Sequence, residues 1–267
     1  MRFVITNHKT KTIESLDNEK IKLVRKLCTS RKARKENNLF VIEGLRLCYD
    51  AVMSNINIHR TFYTQSAYEK FHNKINEIIK VSKESYLITE SISQKISETS
   101  SPQGIFCVAE FRSTDQKRNF TSNEKIVILE NIQDPSNLGT ILRSAEAFGI
   151  NNIILSHNCV DIYSPKVLRG SMGAIFRIDF ISSPDLVSFI KELPMKTYAT
   201  VPDKSAKKIT DIDFSTGAAL IIGNEGNGIS NELLKSCDEK ITIPMNGMAE
   251  SLNAATAASI AMWEMIK

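Results

Sequence analysis

The sequence has little of what metal sites and nucleophile sites are usually made from. It contains four histidines and five cysteines among 267 residues, and the cysteines are scattered with no close pair: Cys28, Cys48, Cys107, Cys159 and Cys237. Zinc sites draw on closely spaced cysteines and histidines, so this pattern argues against a metal ion. It favours reduced, mostly buried thiols instead.

Long apolar runs are also missing. No stretch reaches the roughly 20 residues of a membrane span, and the opening MRFVITNHKTKTIE lacks the apolar segment of a secretory signal. The composition, 42% hydrophobic and 24% charged, is that of an ordinary globular protein. We therefore expect a cytoplasmic protein with no membrane partner.

Acidic residues are too few in the first part of the chain to balance the basic ones. Residues 1–120 carry 21 lysines and arginines against 13 acidic residues, a net charge of +8, whereas the remainder carries −4. Eight cations fall between Lys20 and Lys35, where Ile21, Val24 and Leu27 recur at helical spacing. This predicts an amphipathic helix with a basic face that runs into a basic loop near residues 29–30. A solvated face is the usual explanation of such runs, but their density favours nucleic-acid contacts by Lys26, Arg31, Lys32, Arg34 and Lys35.

Strand and helix patterns divide the chain into two domains. Strands and helices alternate over residues 1–112, which predicts a small α/β domain, and the polar stretch at 113–125 is the best linker candidate. From residue 126 to 267, strands alternate with helices again. Alternation of this kind predicts a mostly parallel sheet with ligands bound at the carboxyl ends of its strands.

Three loops of the second domain follow a strand and precede a helix. They begin after Asn131, Ile222 and Ile243. We expect Ser136 or Asn137 to cap the helix after the first loop, and residues 250–251 to open the terminal helix that follows the third. The three loops are the predicted walls of a ligand site.

The glycine-rich loop GNEGNG at residues 223–228 has several possible roles. It lacks the Lys-Ser/Thr pair of a P-loop and does not follow the first strand of its domain, which weakens both nucleotide-hydrolase and dinucleotide-binding interpretations. Its glycines would let backbone groups approach a ligand closely. A plain turn is the competing interpretation for this loop taken alone.

Three stretches match the motifs of one family in order and spacing. They are NIQDPSNLGTILR at 131–143, GNEGNG at 223–228 and IPMNGMAESLN at 243–253. They resemble the motifs of the SpoU/TrmH-type RNA 2′-O-ribose methyltransferases of the SPOUT superfamily. The first part of the chain resembles, more loosely, the ribosomal-protein-like substrate-binding domain of rRNA-directed members.

The resemblance implies a fold and a set of partners. It implies a C-terminal parallel-sheet SPOUT domain with a deep trefoil knot, preceded by a small α/β RNA-binding domain. It also implies S-adenosylmethionine as cofactor, RNA as substrate and a homodimer whose sites lie near the subunit interface. Knots are exceptions to the usual rule of un-knotted connections, and no periodicity in this sequence predicts one.

Carried over residue by residue, the resemblance also implies a site. Its catalytic residues would be Asn137, Arg143, Glu225, Ser251 and Asn253. Its cofactor-binding residues would be Thr200, Gly223, Asn224, Gly226, Ile243, Met245 and Leu252. The family's usual proton acceptor is the arginine, here Arg143, but a guanidinium stays protonated in proteins. We therefore expect Arg143 to anchor a phosphate or stabilise the developing alkoxide, and the proton acceptor stays open.

Three other functions compete with rRNA ribose methylation. The substrate could be tRNA, although the separate basic domain favours rRNA. A catalytically silent RNA-binding or ribosome-assembly protein on the same fold is the second alternative, and the presence of all five catalytic candidates argues against it. The third is a base methyltransferase, which the Asn…Arg pattern of the first motif disfavours.

Overall fold

The computed structural model describes residues 11–112 and 118–267, and the chain divides into two compact units. The first comprises residues up to 112 together with 163–165, and the second comprises 113–162 and 166–267. Residues 113–117 of the predicted linker lie outside the described residues. Arg118, within the remaining linker, pairs with Glu124 at 2.9 Å just before the first strand of the second unit.

The first unit is a mixed five-stranded sheet with strand order β1-β4-β3-β5-β2. Strands β1, β4 and β3 run parallel, and β5 is antiparallel to both β3 and β2. This is the predicted α/β arrangement, apart from β1, which the sequence patterns did not indicate. The elements are β1 Lys11–Ile13, α1 Glu19–Thr29, α2 Arg31–Asn37, β2 Leu39–Glu43, α3 Leu45–Met53, β3 Ile58–Thr64, α4 Gln65–Val81, β4 Glu84–Ile88, α5 Glu90–Ile96 and β5 Ile105–Glu110.

The basic segment folds as two helices. Ile21, Val24 and Leu27 of α1 are fully buried in the core of the unit, as their helical spacing predicts. The basic loop expected after Thr29 is instead a second helix, because the Ser30 hydroxyl accepts a hydrogen bond from the Ala33 amide at 3.2 Å and caps α2. A serine between two helical segments both ends one helix and begins the next.

Arg34 does not lie on the basic surface. It is only 4% exposed, and its guanidinium donates hydrogen bonds to the carbonyl oxygens of Leu27 and Cys28, the latter at 3.1 Å. The last carbonyls of a helix lack partners within the helix, and a buried cation beside them also complements the helix dipole. Arg34 therefore joins α1 to α2 and is not a surface contact for nucleic acid. Lys26, Arg31, Lys32 and Lys35 are exposed.

The second unit is a parallel seven-stranded sheet with strand order β10-β12-β9-β11-β6-β7-β8. All six strand pairings are parallel, as the alternation of strands and helices predicts. The central strands β6 and β11 are almost entirely buried. The elements are β6 Lys125–Leu129, α6 Pro135–Ala147, β7 Asn152–Ser156, α7 Pro165–Ser171, β8 Asp179–Ser183, α8 Leu186–Lys191, β9 Lys196–Thr200, β10 Lys207–Lys208, β11 Ala218–Ile222, α9 Asn231–Ser236, β12 Glu239–Thr242 and α10 Ala254–Ile266.

Two predicted helix starts are wrong, and two edge strands were not predicted. Asp134, rather than Ser136 or Asn137, caps α6 by accepting from the Ser136 amide at 2.7 Å. The terminal helix begins after Asn253, so residues 250–252 belong to the loop that precedes it. The Asn253 side chain accepts from two amides of the first turn and is the better cap because its short amide stays close to them. The unpredicted strands are β8 and β10.

Helices α6 and α10 run parallel and meet at three levels. The Asn253 side-chain amide donates to Asn137 Oδ1 at 2.9 Å. Further along, the hydroxyls of Ser144 and Ser259 are 2.8 Å apart. At the far end the rings of Phe148 and Trp263 lie 5.7 Å apart. This pairing fixes the start of α10 against the start of α6.

Several properties of the described residues bear on the chemistry. All five cysteines are free, and all but the partly exposed Cys237 are buried. No group of three His, Cys, Asp or Glu side chains within residues 11–112 and 118–267 is placed to hold a metal ion. None of the helices in these ranges has the length and apolar content needed to cross a membrane.

We predict that Arg34→Ala destabilises the first unit by about 2 kcal/mol, because buried hydrogen bonds to a charged donor are worth roughly 1.5–3 kcal/mol. The measurement is chemical denaturation of the full chain followed by far-ultraviolet circular dichroism. The only tryptophan, Trp263, lies in the second unit, so its fluorescence reports that unit separately.

Lys35→Ala is the matched control, since Lys35 is exposed on the same helix. This variant should change the unfolding free energy by less than about 0.5 kcal/mol. Equal stability of the Arg34→Ala and Lys35→Ala proteins would contradict the bridging role of Arg34.

Candidate functional site

The carboxyl ends of three neighbouring strands, β12, β9 and β11, form one wall of a cleft of about 470 Å³. Strands β9, β11 and β12 contribute residues directly, and β6 lies beside β11 in the same sheet. Because the strands are parallel, the loops that follow them meet at a single edge. All seven residues predicted to bind a cofactor line this cleft: Thr200, Gly223, Asn224, Gly226, Ile243, Met245 and Leu252.

The cleft has apolar walls and a single charged side chain. Ile222, Ile229 and Leu234 are among the apolar residues that line it, and Glu225 is its only charged lining residue. Cleft volumes of 300–1,000 Å³ with mostly apolar walls are typical of sites for small molecules. An anionic group without a cation beside it in the lining suits a ligand that carries a positive charge.

The glycine-rich loop is folded tightly on itself. Asn224 and Gly228 exchange backbone hydrogen bonds of 2.9 and 3.0 Å, and the Asn224 side chain accepts from the amides of Gly226 and Asn227. A Cβ on Gly223 would lie only 2.3 Å from the carbonyl carbon of Gly228. No residue with a side chain fits at position 223, so the backbone itself forms this wall of the cleft.

The three motif loops are joined by side-chain hydrogen bonds that centre on Asn137. Asn137, only 8% exposed, accepts from the Asn253 amide at 2.9 Å and donates to Glu225 Oε1 at 2.9 Å. The side-chain amide of Asn224 donates to the backbone carbonyl of Asn131 at 2.8 Å, which links the first two loops a second time. One residue from each motif therefore forms a continuous chain from α6 to the start of α10.

The first motif also requires a glycine for packing. A Cβ on Gly139 would lie 2.9 Å from the Gly170 backbone, so α6 and α7 approach each other more closely than any side chain would permit. This close contact seats the α6 turn that carries Asn137.

Glu225 is held by donors on several sides. Its carboxylate accepts from the amides of Gln133 and Asp134, both at 3.2 Å, and from the side chains of Asn137 and Asn224. Burial by itself raises the pKa of Glu225, but these hydrogen bonds outweigh burial and hold the pKa below its ordinary value of 4.5. The carboxylate is consequently ionised at neutral pH and is a weak base.

The five predicted catalytic residues are only partly brought together. Asn137, Glu225 and Asn253 form the hydrogen-bonded chain, and Ser251 lines the cleft beside it. Arg143 lies six residues beyond Asn137 on α6, which places it about 120° around the helix axis. Arg143 is exposed, and no hydrogen bond or ion pair joins it to the other four residues.

The sequence patterns missed a fourth loop of the site. Val201 and Pro202, directly after β9, line the cleft, although this loop was not among the predicted walls. The rule that ligands bind at the carboxyl ends of strands would have identified this loop, since β9 was itself predicted. The loop after Asn131 was predicted as a wall, but none of its residues lines the cleft, and hydrogen bonds to Glu225 join it to the lining instead. Ala254 and Ala257 of α10 also line the cleft, in agreement with the close approach that their small side chains permit.

Comparison with known proteins assigns both units to described families. The model of the SpoU rRNA methylase family matches residues 124–263. The chain belongs to the SpoU rRNA methylase family. A second model, the MRM3-like substrate binding domain, matches residues 18–107. The family resemblance carried by the three motifs is therefore confirmed.

Relatives and solved structures span almost the whole chain. The 23S rRNA (guanosine(2553)-2′-O)-methyltransferase RlmP of Bacillus subtilis is 32% identical over 96% of this chain and 99% of its own length. An AdoMet-bound rRNA methyltransferase from Sinorhizobium meliloti is 29% identical with a TM-score of 0.85, covering 96% of this chain and 97% of that one. The SpoU methyltransferase AviRb from Streptomyces viridochromogenes, in complex with AdoMet, has a TM-score of 0.83 at 25% identity over 93% of this chain and 97% of that one.

We predict a specific pH dependence for the hydrogen bonds of Glu225. Because its pKa is lower in the folded protein than in the unfolded chain, its contribution to stability is complete above the ordinary value of 4.5. That contribution is lost as the pH falls through the lowered pKa. The unfolding free energy of wild type minus that of Glu225→Gln should be constant above about pH 6 and shrink as the pH falls below that ordinary value.

The measurement is urea denaturation followed by Trp263 fluorescence at a series of pH values. Asp211→Asn, an exposed acidic residue in the same unit, controls for the general effect of acid. A difference that does not change, or that grows, between pH 6 and pH 3 would contradict the role given to Glu225.

Proposed function

We propose that this protein transfers the methyl group of S-adenosylmethionine to a ribose 2′-oxygen of ribosomal RNA. The observation that carries the proposal is that the second and third family motifs line one cleft of about 470 Å³ at the carboxyl edge of a parallel sheet, and that Asn137 of the first motif is hydrogen-bonded to both of them. Relatives with this activity match almost the full length of the chain. The basic first unit supplies a surface for the polyanionic substrate.

The cleft fits S-adenosylmethionine in size and in charge. Bound there, this compound would supply a sulfonium methyl group: an oxygen nucleophile bonds to the methyl carbon as the carbon–sulfur bond breaks, and the thioether S-adenosylhomocysteine leaves. The glycine-rich backbone at Gly223 and Gly226 and the apolar side chains of Ile243 and Leu252 would hold it. Glu225, the only charged residue of the lining, suits the positive charge of the sulfonium better than the neutral product that remains after transfer.

Asn137 and Asn253 position the reacting groups. Their amides are fixed to each other and to Glu225, and Asn137 is almost fully buried, so their orientation requires no reorganisation when RNA binds. Methyl transfer between two bound molecules gains much of its rate from such positioning. Glu225 orients Asn137; its lowered pKa and its four donors make it a poor acceptor for the ribose proton.

Arg143 contributes charge rather than a base. Its cationic guanidinium is exposed on α6, so it can bind a phosphate or stabilise the negative charge that develops on the 2′-oxygen. Because it is not bonded to the Asn137 network, it would reach a ribose from a separate direction. Completion of the site at an interface between two subunits would explain why Arg143 and the Asn137 network are not joined within one chain.

The test is methyl transfer from labelled S-adenosylmethionine to ribosomal RNA that lacks the modification. Label should appear on a 2′-O-methyl nucleoside after digestion, because the motifs are those of a ribose-directed family. Label on a base would contradict the ribose assignment. Absence of label on free RNA, on assembled particles and on tRNA, together with S-adenosylmethionine binding, would favour the silent RNA-binding alternative.

Two variants of Arg143 determine its role in the same assay. Arg143→Ala should lower kcat about 100-fold or more, since removing one group that stabilises developing charge typically costs 10²–10³. Arg143→Lys should retain part of the activity, because the charge remains while the planar fork is lost. The affinity for S-adenosylmethionine should change in neither variant. Full activity of Arg143→Ala would contradict any catalytic role.

The first unit is proposed to bind the RNA substrate in the manner of a ribosomal-protein-like domain. Lys26, Arg31, Lys32 and Lys35 are exposed on α1 and α2, and the matching family model describes a substrate binding domain. Contacts from several cations to phosphates would make the affinity fall steeply with salt. Such a protein would act in the cytoplasm, where ribosomal RNA is found in bacteria.

The second unit is proposed to contain a trefoil knot and to form a homodimer. The proposed knot is supported by membership of the SpoU rRNA methylase family, since the motif resemblance implies a knotted SPOUT domain. The proposed dimer is supported by the outer face of α10, where Trp263 is 53% exposed and Ile260 is 38% exposed. Large apolar side chains are seldom left in water next to each other on one helix unless another surface covers them.

We predict that Trp263→Glu converts a dimer into a monomer, because a charge in the middle of an apolar interface would be buried without a partner. Light scattering coupled to size-exclusion chromatography measures the mass. Met53→Glu is the matched control, since Met53 is 64% exposed in the first unit, and it should leave the mass unchanged. A wild-type monomer, or a dimeric Trp263→Glu protein, would contradict the proposed interface.

A further inference from the structure

One residue outside the cleft, Glu130, is hydrogen-bonded to both ends of the glycine-rich loop. Glu130 follows β6 directly, and its backbone amide donates to the Ile222 carbonyl at 2.9 Å, where β11 ends and the loop begins. Its side-chain Oε2 accepts from the backbone amide of Ser230 at 2.8 Å, where the loop ends and α9 begins. A single residue thus fixes the two points between which residues 223–229 are suspended.

The surroundings of Glu130 make this contact strong. The residue is only 8% exposed, and hydrogen bonds between a carboxylate and a backbone amide are stronger than neutral ones. Ser230 is itself the cap of α9: its hydroxyl accepts from the Leu233 amide at 3.3 Å and its carbonyl from the Leu234 amide at 2.9 Å. A shift of the Ser230 amide would therefore move α9 as well.

The loop that Glu130 holds is the wall of the cleft. Every residue from 222 to 229 lines the cleft, and Leu234 of α9 lines it too. The hydrogen bonds within the loop close it between Asn224 and Gly228 but do not attach it to the sheet. Its attachment to the β6 side consists of the Glu130 contact at its end, the Asn224 side-chain amide at the Asn131 carbonyl, and the Glu225 carboxylate. Glu225 accepts from the Gln133 and Asp134 amides and from the Asn137 side chain, so Glu130 alone holds the end of the loop that leads into α9.

We propose that Glu130 is a positioning residue for cofactor binding, which acts by holding the glycine-rich loop and α9 at the spacing that S-adenosylmethionine requires. It does not line the cleft, so it would act on the cofactor through the loop and not by direct contact. The inference rests on the proposed function. It assigns the cofactor affinity in part to a hydrogen bond behind the cleft wall.

The test compares three variants of Glu130 in the full-length protein. Glu130→Ala removes the acceptor, and Glu130→Asp keeps the charge but is one methylene too short to reach Ser230. Each should raise the dissociation constant for S-adenosylmethionine about tenfold or more, as expected for the loss of a buried hydrogen bond to a charged group. Glu130→Gln keeps an oxygen at the same reach and should stay within about threefold of wild type.

Calorimetric titration with S-adenosylmethionine measures the affinity, and hydrogen exchange of the Ser230 amide measures the contact itself. The amide should exchange faster in the Ala and Asp variants than in the Gln variant. Steady-state kinetics should show a raised KM for S-adenosylmethionine with kcat changed less than about threefold. KM for RNA should stay at the wild-type value.

Asp238→Ala is the matched control. Asp238 accepts from the amide and the hydroxyl of Thr197, both at 2.8 Å, at the amino end of β9 and so at the opposite edge of the sheet from the cleft. This variant should lower thermal stability without changing the affinity for S-adenosylmethionine. An equal loss of affinity in Asp238→Ala and Glu130→Ala would mean that general destabilisation, not positioning, is responsible.

The outcomes separate the two proposals. Wild-type protein that binds no S-adenosylmethionine would contradict the proposed function and the inference with it. Wild-type binding with unchanged affinity in a folded Glu130→Ala or Glu130→Asp protein would contradict the inference alone. Where the Ala variant does not fold, the contrast between Asp and Gln decides the question, because the two differ in reach and both keep a polar group at the position.

Discussion

The site depends on the burial of Asn137 between two polar partners. An almost fully buried amide must satisfy both its oxygen and its nitrogen, and here it does so with Asn253 on one side and Glu225 on the other. Each partner belongs to a different loop, so the three loops cannot move independently without leaving a buried polar group unpaired. The cost of an unpaired group, about 1–3 kcal/mol, keeps the cleft in one shape.

The rest of the second unit supports this arrangement. The parallel sheet brings the ends of its strands to a single edge, and the contact of α6 with α10 through Ser144 and Ser259 carries the terminal helix to the same place. Behind the cleft, the Glu130 carboxylate fixes the far end of the glycine-rich loop. Polar groups that are buried and paired therefore define the cleft on both faces, while apolar side chains such as Ile222 and Leu234 supply its surface.

The two units differ in charge, and each charge suits a different ligand. The exposed cations of α1 and α2 suit a polyanion, whereas the lining of the cleft includes only the negative charge of Glu225. Arg143 belongs to neither group, since it is exposed on α6 and not bonded to the Asn137 network. The proposed homodimer would account both for its position and for the exposed face of α10 at Trp263.

The sequence by itself predicted that the strands of the second unit run parallel and that the apolar residues of α1 lie in the core. It also predicted that three separated motifs belong to one site. The first two predictions follow from hydrophobic periodicity, which is a local property, and the third follows from the resemblance of the motifs to those of one family. Only the tertiary structure decided that Arg34 turns inward to the end of α1, that Asp134 and Asn253 cap their helices, and that Glu130 reaches Ser230 across 100 residues of chain. Those roles depend on which donors and acceptors meet once the chain has folded, and a pattern of residue types does not specify such pairings.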